Sequence, residues 1–411
     1  MAEKANTPAI RFRGFTDAWE QRKLGEITDS YSGGTPSVGV KEYYGGEIPF
    51  IRSAEINSDS TELFITQKGL DNSSARIANI GDILYALYGA TSGEVGRARL
   101  KGAVNQAIMV IQPHTEYYSE FLVQWLRKSK QTIIDTYLQG GQGNLSGAIV
   151  KDLVIDCPSQ EEQQQIGTFF RSLDNLITLH QRKYEKLRNI KKACLEKMFP
   201  KAGSNVPEIR FRGFTGDWVR REFGDMAEYK KGPFGSALKK ELFVPDGEDS
   251  VKVYEQQNAI NKDWKLERYY ITKSYANELN AFETHAGDII ISCAGTIGEM
   301  YELPPESRAG VINQALMRVR VNERTICKSI YKLLFLNMIE SFSKEHSNGS
   351  AMKNIPPFAD LKPMTAMVPS LNEQQQLSTF FGNLDNLITL HQRKLEKLRN
   401  LKKACLEKMF V

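Results

Sequence analysis

Leu173-Asp-Asn-Leu-Ile-Thr-Leu-His-Gln-Arg-Lys183 recurs letter for letter as Leu384 through Lys394. The match extends with few changes from Ser159–Phe199 to Ser370–Phe410, an offset of 211 residues. A second repeat lies upstream: Ile10-Arg-Phe-Arg-Gly-Phe-Thr16 returns as Ile209 through Thr215, and Trp19 is matched by Trp218, at an offset of 199. The chain is therefore two copies of one unit. The two offsets differ by twelve, so the second copy holds about twelve extra residues between its landmarks.

The repeated downstream segment reads as a long helix. Ser159-x-x-Glu162 and Ser370-x-x-Glu373, each after a proline, have the spacing of a capping box. Phe170, Leu173, Ile177, His180, Tyr184, Leu187, Lys191, Cys194 and Met198 step by three and four. Phe381, Leu384, Ile388, His391, Leu395, Leu398, Lys402, Cys405 and Met409 repeat the stripe. That is a heptad-like seam with polar interruptions. A helix of about 37 residues rising 1.5 Å per residue spans roughly 55 Å, and its stripe needs a partner. Two copies in one chain supply one, and the spacing is compatible with either a parallel or an antiparallel pair. Nothing suited to metal or acid–base work is spaced around His180 and His391, so they read as seam residues. Off the seam, Arg182, Lys183, Lys186, Arg188, Lys192 and Lys197, with their copies, make a basic helix surface.

Between the landmarks the two copies diverge, keeping only a frame. Gly81-Asp-Ile83 matches Gly287-Asp-Ile289, and Asn105-Gln-Ala107 matches Asn313-Gln-Ala315. Drift alone would have loosened the helices equally, so the divergence reads as two readers of different targets. Apolar runs at Ile83–Leu87, Ala107–Ile111 and Asp288–Ser292 predict strands bounded by glycine turns. Residues 121–137 and 330–342 predict amphipathic helices. The expected class is α+β, with two globular domains and two long helices. The expected bounds are 1–158 for the first domain (leading segment 8–19), 159–200 for the first long helix, 201–369 for the second domain (leading segment 207–218) and 370–411 for the second long helix.

Composition narrows the function. The 411 residues are 41% hydrophobic, enough for sizeable cores, and the formal net charge of +5 permits nucleic acid without demanding it. Five cysteines with no C-x-x-C argue against a disulfide or zinc framework and suit a cytoplasmic setting. No stretch approaches the length of a membrane helix.

Three patterns imitate catalysis. Asn354-Ile-Pro-Pro-Phe358 resembles an amino-methyltransferase motif, but Ile355 interrupts it. Pro245-Asp246 with Asp263-Trp-Lys265 imitates a nuclease pattern and has no counterpart in the first copy. Gly89-Ala-Thr-Ser-Gly93 and Ala294-Gly-Thr-Ile-Gly298 lack the lysine of a nucleotide-binding loop and read as turns. No catalytic residue and no metal ligand is expected.

The polar loops carry different chemistry. Gln139, Gln142 and Asn144 precede the first long helix, and Asn348, Ser350 and Lys353 precede the second. Amide side chains can read adenine edges, lysine can reach guanine or phosphate, and glycine lets backbone approach closely. Lys230, Lys231, Ser236, Lys239 and Lys240 lie in Lys230-Lys-Gly-Pro-Phe-Gly-Ser-Ala-Leu-Lys-Lys240, the strongest phosphate-contacting candidate in the second copy. Arg11, Phe12, Arg13 and Phe15 are unchanged between copies, so they suit packing better than specificity.

The Arg-Phe-x-Gly-Phe-Thr-x-x-Trp leading segments, the Gly-Asp-Ile and Asn-Gln-Ala frame, and the Pro-Ser-x-x-Glu-Gln-Gln start of each long helix resemble the specificity subunits of bacterial type I restriction-modification systems. The resemblance covers essentially the whole chain, twice and in order. It implies two target recognition domains, each reading one half of a split double-stranded DNA site, and helices paired antiparallel as a ruler between the halves. It also implies two methyltransferase subunits and two restriction-translocase subunits as partners. S-adenosylmethionine, ATP and Mg2+ would belong to those partners, with no cofactor on this chain. The alternatives are a coiled-coil scaffold that reads no DNA sequence, or a stand-alone methyltransferase or nuclease.

Overall fold

A computed structural model describes residues 7–138, 144–201, 203–266, 268–293, 296–346 and 355–411, with the side chains of 344–346 left out of the description. The chain forms two compact units, Met1–Tyr184 with Leu390–Val411, and Glu185–Thr389. The division does not follow the two sequence copies. Each unit holds one globular domain, the first part of that copy's long helix, and the last part of the other copy's helix.

In the first unit a two-stranded clasp, Glu20–Lys23 against Val154–Cys157, joins the beginning of the domain to its end. Inside it lies an antiparallel sheet in the order Thr28–Ser32, Ile108–Pro113, Ile83–Ala86, Val95–Arg97. A second sheet runs Phe64–Ile65, Tyr44–Ile51, Gly102–Val104, Arg76–Ala78, and its central pair is parallel. The first sheet is covered on both faces, which is why its strands read as unbroken apolar runs. Ile83 and Tyr85 face the helix Ser119–Tyr137 and the long helices, while Leu84 and Ala86 face the second sheet.

The second unit repeats this plan. Its clasp is Val219–Glu222 with Thr365–Val368. Its sheets run Ala227–Lys231, Leu316–Val321, Ile289–Ser292, Met300–Glu302, and Tyr270–Thr272, Ser250–Tyr254, Gly310–Ile312, Glu283–Thr284. Lys328–His346 is the counterpart of the first unit's shorter helix.

The long helices are Gln160–Lys197 and Leu371–Met409. They pair antiparallel within each unit, on the stepped positions. In the first unit His180 meets His391, with Nδ1 atoms 2.7 Å apart, and Lys402 binds Asp174 at 2.7 Å. In the second, Lys191 binds Asp385 at 2.6 Å. The polar interruptions thus have charged or ring partners across the seam. His180 pairs with its own copy, and the two Lys–Asp bridges are copies of each other. Phe170 and Leu173 bury in the first unit's core; Phe381 and Leu384 bury in the second, with Leu187 packed on it. Ile177, Ile388 and Leu398 are half-buried on the same stripes.

The expected capping box is half formed. Ser159 Oγ accepts from the Glu162 amide at 3.4 Å, but the Glu162 carboxylate takes Arg11 of the leading segment instead, bidentate at 2.8 and 2.6 Å. Glu373 and Arg210 repeat this at 2.6 and 2.7 Å. Phe12 packs edge-on against Phe169, and the Ile10 amide donates to the Lys408 carbonyl at 2.9 Å. In the second unit the Ile209 amide donates to the Lys197 carbonyl. Each leading segment therefore fastens the start of one long helix to the end of the other.

Candidate nucleic-acid interface

Hydrogen bonds gather several loops at one edge of each domain. In the first unit the Gly33 amide donates to the Ile108 carbonyl and the Gly34 amide to the Val104 carbonyl. Asn105 donates to Ile51, Leu87 to Ala107, and Leu145 to Leu87. The bridge Tyr88–Asn144 brings Asn144 beside the glycine turn at 89–93. In the second unit Gly232 donates to Leu316, Asn313 to Tyr254 and Cys293 to Ala315. Loops that follow Ser32, Ile51, Ala86 and Val104, or Lys231, Tyr254, Ser292 and Ile312, thus share one rim on a rigid double sheet. Loops held this way can diverge without disturbing the frame.

Glycine is required where the rim is tightest. A Cβ on Gly33 would collide with the Val104 carbonyl, and one on Gly232 with the Asn313 carbonyl. Asn105 and Asn313 turn the chain by accepting from the Ala107 and Ala315 amides, at 3.2 and 3.0 Å. The turn leaves Gln106 and Gln314 exposed at the same place in both domains. Gln106 contacts Thr35 of the neighbouring loop. In the sequence these glutamines read as frame because they are identical; their exposure at the rim is visible only in the fold.

Of the candidate base- and phosphate-contacting residues, Asn144 is exposed on the first rim, and Lys231, Ser236, Lys239 and Lys240 are exposed in one loop of the second. Lys230 is half-buried, with its ammonium 5.0 Å from the centre of the Phe282 ring. Gln139, Gln142, Asn348, Ser350 and Lys353 lie outside the described residues. Phe234, in the loop with those lysines, is 89% exposed, which sequence alone did not signal. On the long helices Lys191 and Lys402 are engaged across the seam, whereas Lys183, Lys186, Lys394 and Lys397 are exposed.

The nuclease-like carboxylates each have a partner of their own. Asp246 binds Arg308 at 3.2 Å, and Asp263 accepts from the Lys265 amide at 2.8 Å. Asn354 lies outside the described residues. Burial pushes the Cys157 and Cys293 thiols up to about 12, so neither is a thiolate nucleophile at neutral pH. Among the described residues no three His, Cys, Asp or Glu side chains gather as a metal site would need, and no helix is long and apolar enough to cross a membrane. The rims offer amides, hydroxyls, ammonium groups and an aromatic ring, which can bind base edges and phosphates.

Known proteins share this plan. The specificity subunit of the type I restriction enzyme MjaVIII from Methanocaldococcus jannaschii is 22% identical over 94% of this chain and 90% of its own length. The MjaIX specificity subunit of the same organism is 33% identical over 42% of this chain and 41% of its own. A crystal structure of a type I restriction-modification S subunit from M. genitalium superposes with a TM-score of 0.64 at 15% identity, covering 98% of this chain and 99% of that one. The family described as type I restriction modification DNA specificity domain matches at residues 16–189 and again at 215–400. With one match on each rim-bearing domain and its long helix, the chain belongs to that family.

Proposed function

We propose that the chain reads a bipartite double-stranded DNA target, one domain per half, and holds the catalytic subunits of a type I restriction-modification complex over it. The observation that carries this reading is the contrast within the repeat. Two domains share strand order, clasp and Asn-Gln-Ala turn, yet differ in the loops those elements hold. One frame with two sets of loops suits two recognition events. In this reading the paired helices fix the distance between the halves, which is a geometric requirement for reading two separated half-sites.

Docking of two methyltransferase subunits and two restriction-translocase subunits has its own support. Leu176, Leu179 and Ile190 are exposed along one helix, and Leu387, Leu390 and Leu401 are exposed at the same positions of the other. Steps of three and eleven keep them on one helix face. A duplicated apolar stripe set among lysines suits apolar faces of partner subunits with acidic flanks, one per copy. Methyl transfer and cleavage then belong to the partners, which would hold S-adenosylmethionine, ATP and Mg2+. The chain itself would position and not catalyse.

Sequencing methylated bases in cells that carry the chain with its partners tests this. The expected motif has two short defined parts separated by a fixed gap. A single continuous motif overturns the bipartite reading. Turnover of DNA by the purified chain alone, with S-adenosylmethionine or Mg2+, overturns the division of labour.

A further inference from the structure

The two most exposed large hydrophobic side chains among the described residues are Phe234, at 89%, and Val38, at 80%. They belong to equivalent loops. Each follows the first strand of its domain's helix-facing sheet, and each leaves that strand through the tight glycine at Gly33 or Gly232. Scattered exposed hydrophobics are ordinary. Two maxima in the corresponding loop of two diverged domains, both on the proposed DNA-reading rim, call for a common cause.

The loop around Phe234 is built to hold its tip. The Gly232 amide is bonded to the Leu316 carbonyl at 2.9 Å, and Pro233 and Leu238 are buried. The Phe234 carbonyl accepts from the Ala237 amide at 2.9 Å, and Tyr275 Oη donates to the Ala237 carbonyl at 2.8 Å. With the backbone fixed on both sides, the ring is presented to solvent. Lys231, Lys239 and Lys240, all exposed, surround it in sequence and supply charge for phosphates. A rigid ring among phosphate-binding cations is the arrangement that stacks on bases. In the first domain the buried Pro36, held by Tyr44 Oη at 2.6 Å, fixes a loop that presents Val38, a side chain with no π-face.

The geometry points to Phe234 as a base-stacking contact of the second domain, inserted against a partly unstacked base of one half-site, with Val38 making only apolar contact in the other. This rests on the DNA-reading function proposed above.

The test uses the chain assembled with its methyltransferase partners and a duplex carrying the methylated motif, with 2-aminopurine placed singly at each position of both halves. Base flipping by the methyltransferases raises fluorescence at each half's target base, and one further position, in one half only, is expected to rise through Phe234. F234A should abolish that rise and weaken cognate binding by roughly tenfold or more at fixed salt, leaving random-duplex binding and the melting temperature unchanged. F234W should restore both, and V38A should leave the rise intact. A wild type that discriminates cognate from random duplex, with F234A matching it in affinity and fluorescence, overturns the assignment of Phe234 alone. A wild type that binds both duplexes alike overturns the reading function and this assignment with it.

Discussion

Arg11 and Arg210 show how one side chain sets the architecture. Each forks onto a glutamate at the start of a long helix, and the Glu162 and Glu373 side chains are only 1% exposed. The hydrogen bond to Glu162 is the largest influence on Arg11 and raises its pKa, so the guanidinium stays charged. Removing one partner of a buried pair strands a charge away from water, which costs about 3–5 kcal/mol. Arg11→Ala is therefore expected to destabilise the first unit by about that much, and Arg210→Ala the second. Arg11→Met combined with Glu162→Leu should recover most of the loss. Hydrogen exchange should place the weakening in the unit that carries the change; a loss below ~1 kcal/mol would show that the fork does not fasten the helix. Half of this arrangement is legible from local pattern. The leading segment reads as packing, but Glu162 reads as a capping residue because its true partner is 151 residues away. The roles of Gln106 and Phe234 are illegible for the same reason: local pattern does not report which side of a folded rim faces out.

The long helices were the most legible elements, since a stripe stepping by three and four needs only the helical period. Their relative direction was not, because the spacing suits both pairings until side chains are matched. His180 decides it: a residue can meet its own copy in an antiparallel pair only at the centre of the register. The short edge strands, such as Phe64–Ile65 and Glu283–Thr284, were illegible because two residues carry no period. The histidine contact makes the seam sensitive to pH. Burial holds the His391 pKa below its ordinary value, helped by His180, Lys183 and Lys394. A base with a depressed folded-state pKa binds fewer protons than the unfolded chain. Its stability contribution is intact above the unfolded value of about 6.5 and is lost as pH falls below it, down to the folded value. The melting temperature of the first unit should fall between pH 7.5 and 5.5, and a His180→Leu, His391→Leu double variant should lose that dependence. A wild-type melting temperature flat over this window would mean that His391 does not titrate there.

At the scale of the whole chain, the near identity of the helices conceals a match between each helix and its own domain. The copies differ chiefly over residues 160–172 and 371–383, where each helix lies on its domain, and hardly at all beyond. In the first unit Tyr118 packs over Gly167 so closely that a Cβ there would stand 2.6 Å from its ring, and Arg171 lies over the same ring while reaching Glu120. In the second unit the same junction holds Ser378, bonded to Ser329 at 2.6 Å, and Gly382 opens a cavity of about 490 Å³ lined by Lys332, Leu333 and Phe381. A domain exchange therefore has to carry its helix contacts with it. The clasps give the boundaries, because residues 20–157 and 219–368 each begin and end on paired strands. A chimera with residues 20–157 in place of 219–368 should be poorly folded, since Tyr118 then meets the Ser378 side chain. Ser378→Gly with Gly382→Arg in that chimera should restore a cooperative melt. With its partners, the corrected chimera should methylate a target whose two halves have the same sequence. An uncorrected chimera as stable as the corrected one would overturn the matching of helix to domain. A corrected chimera that kept the original second half-site would overturn the assignment of one domain to each half, because nothing of the second domain's rim remains in it.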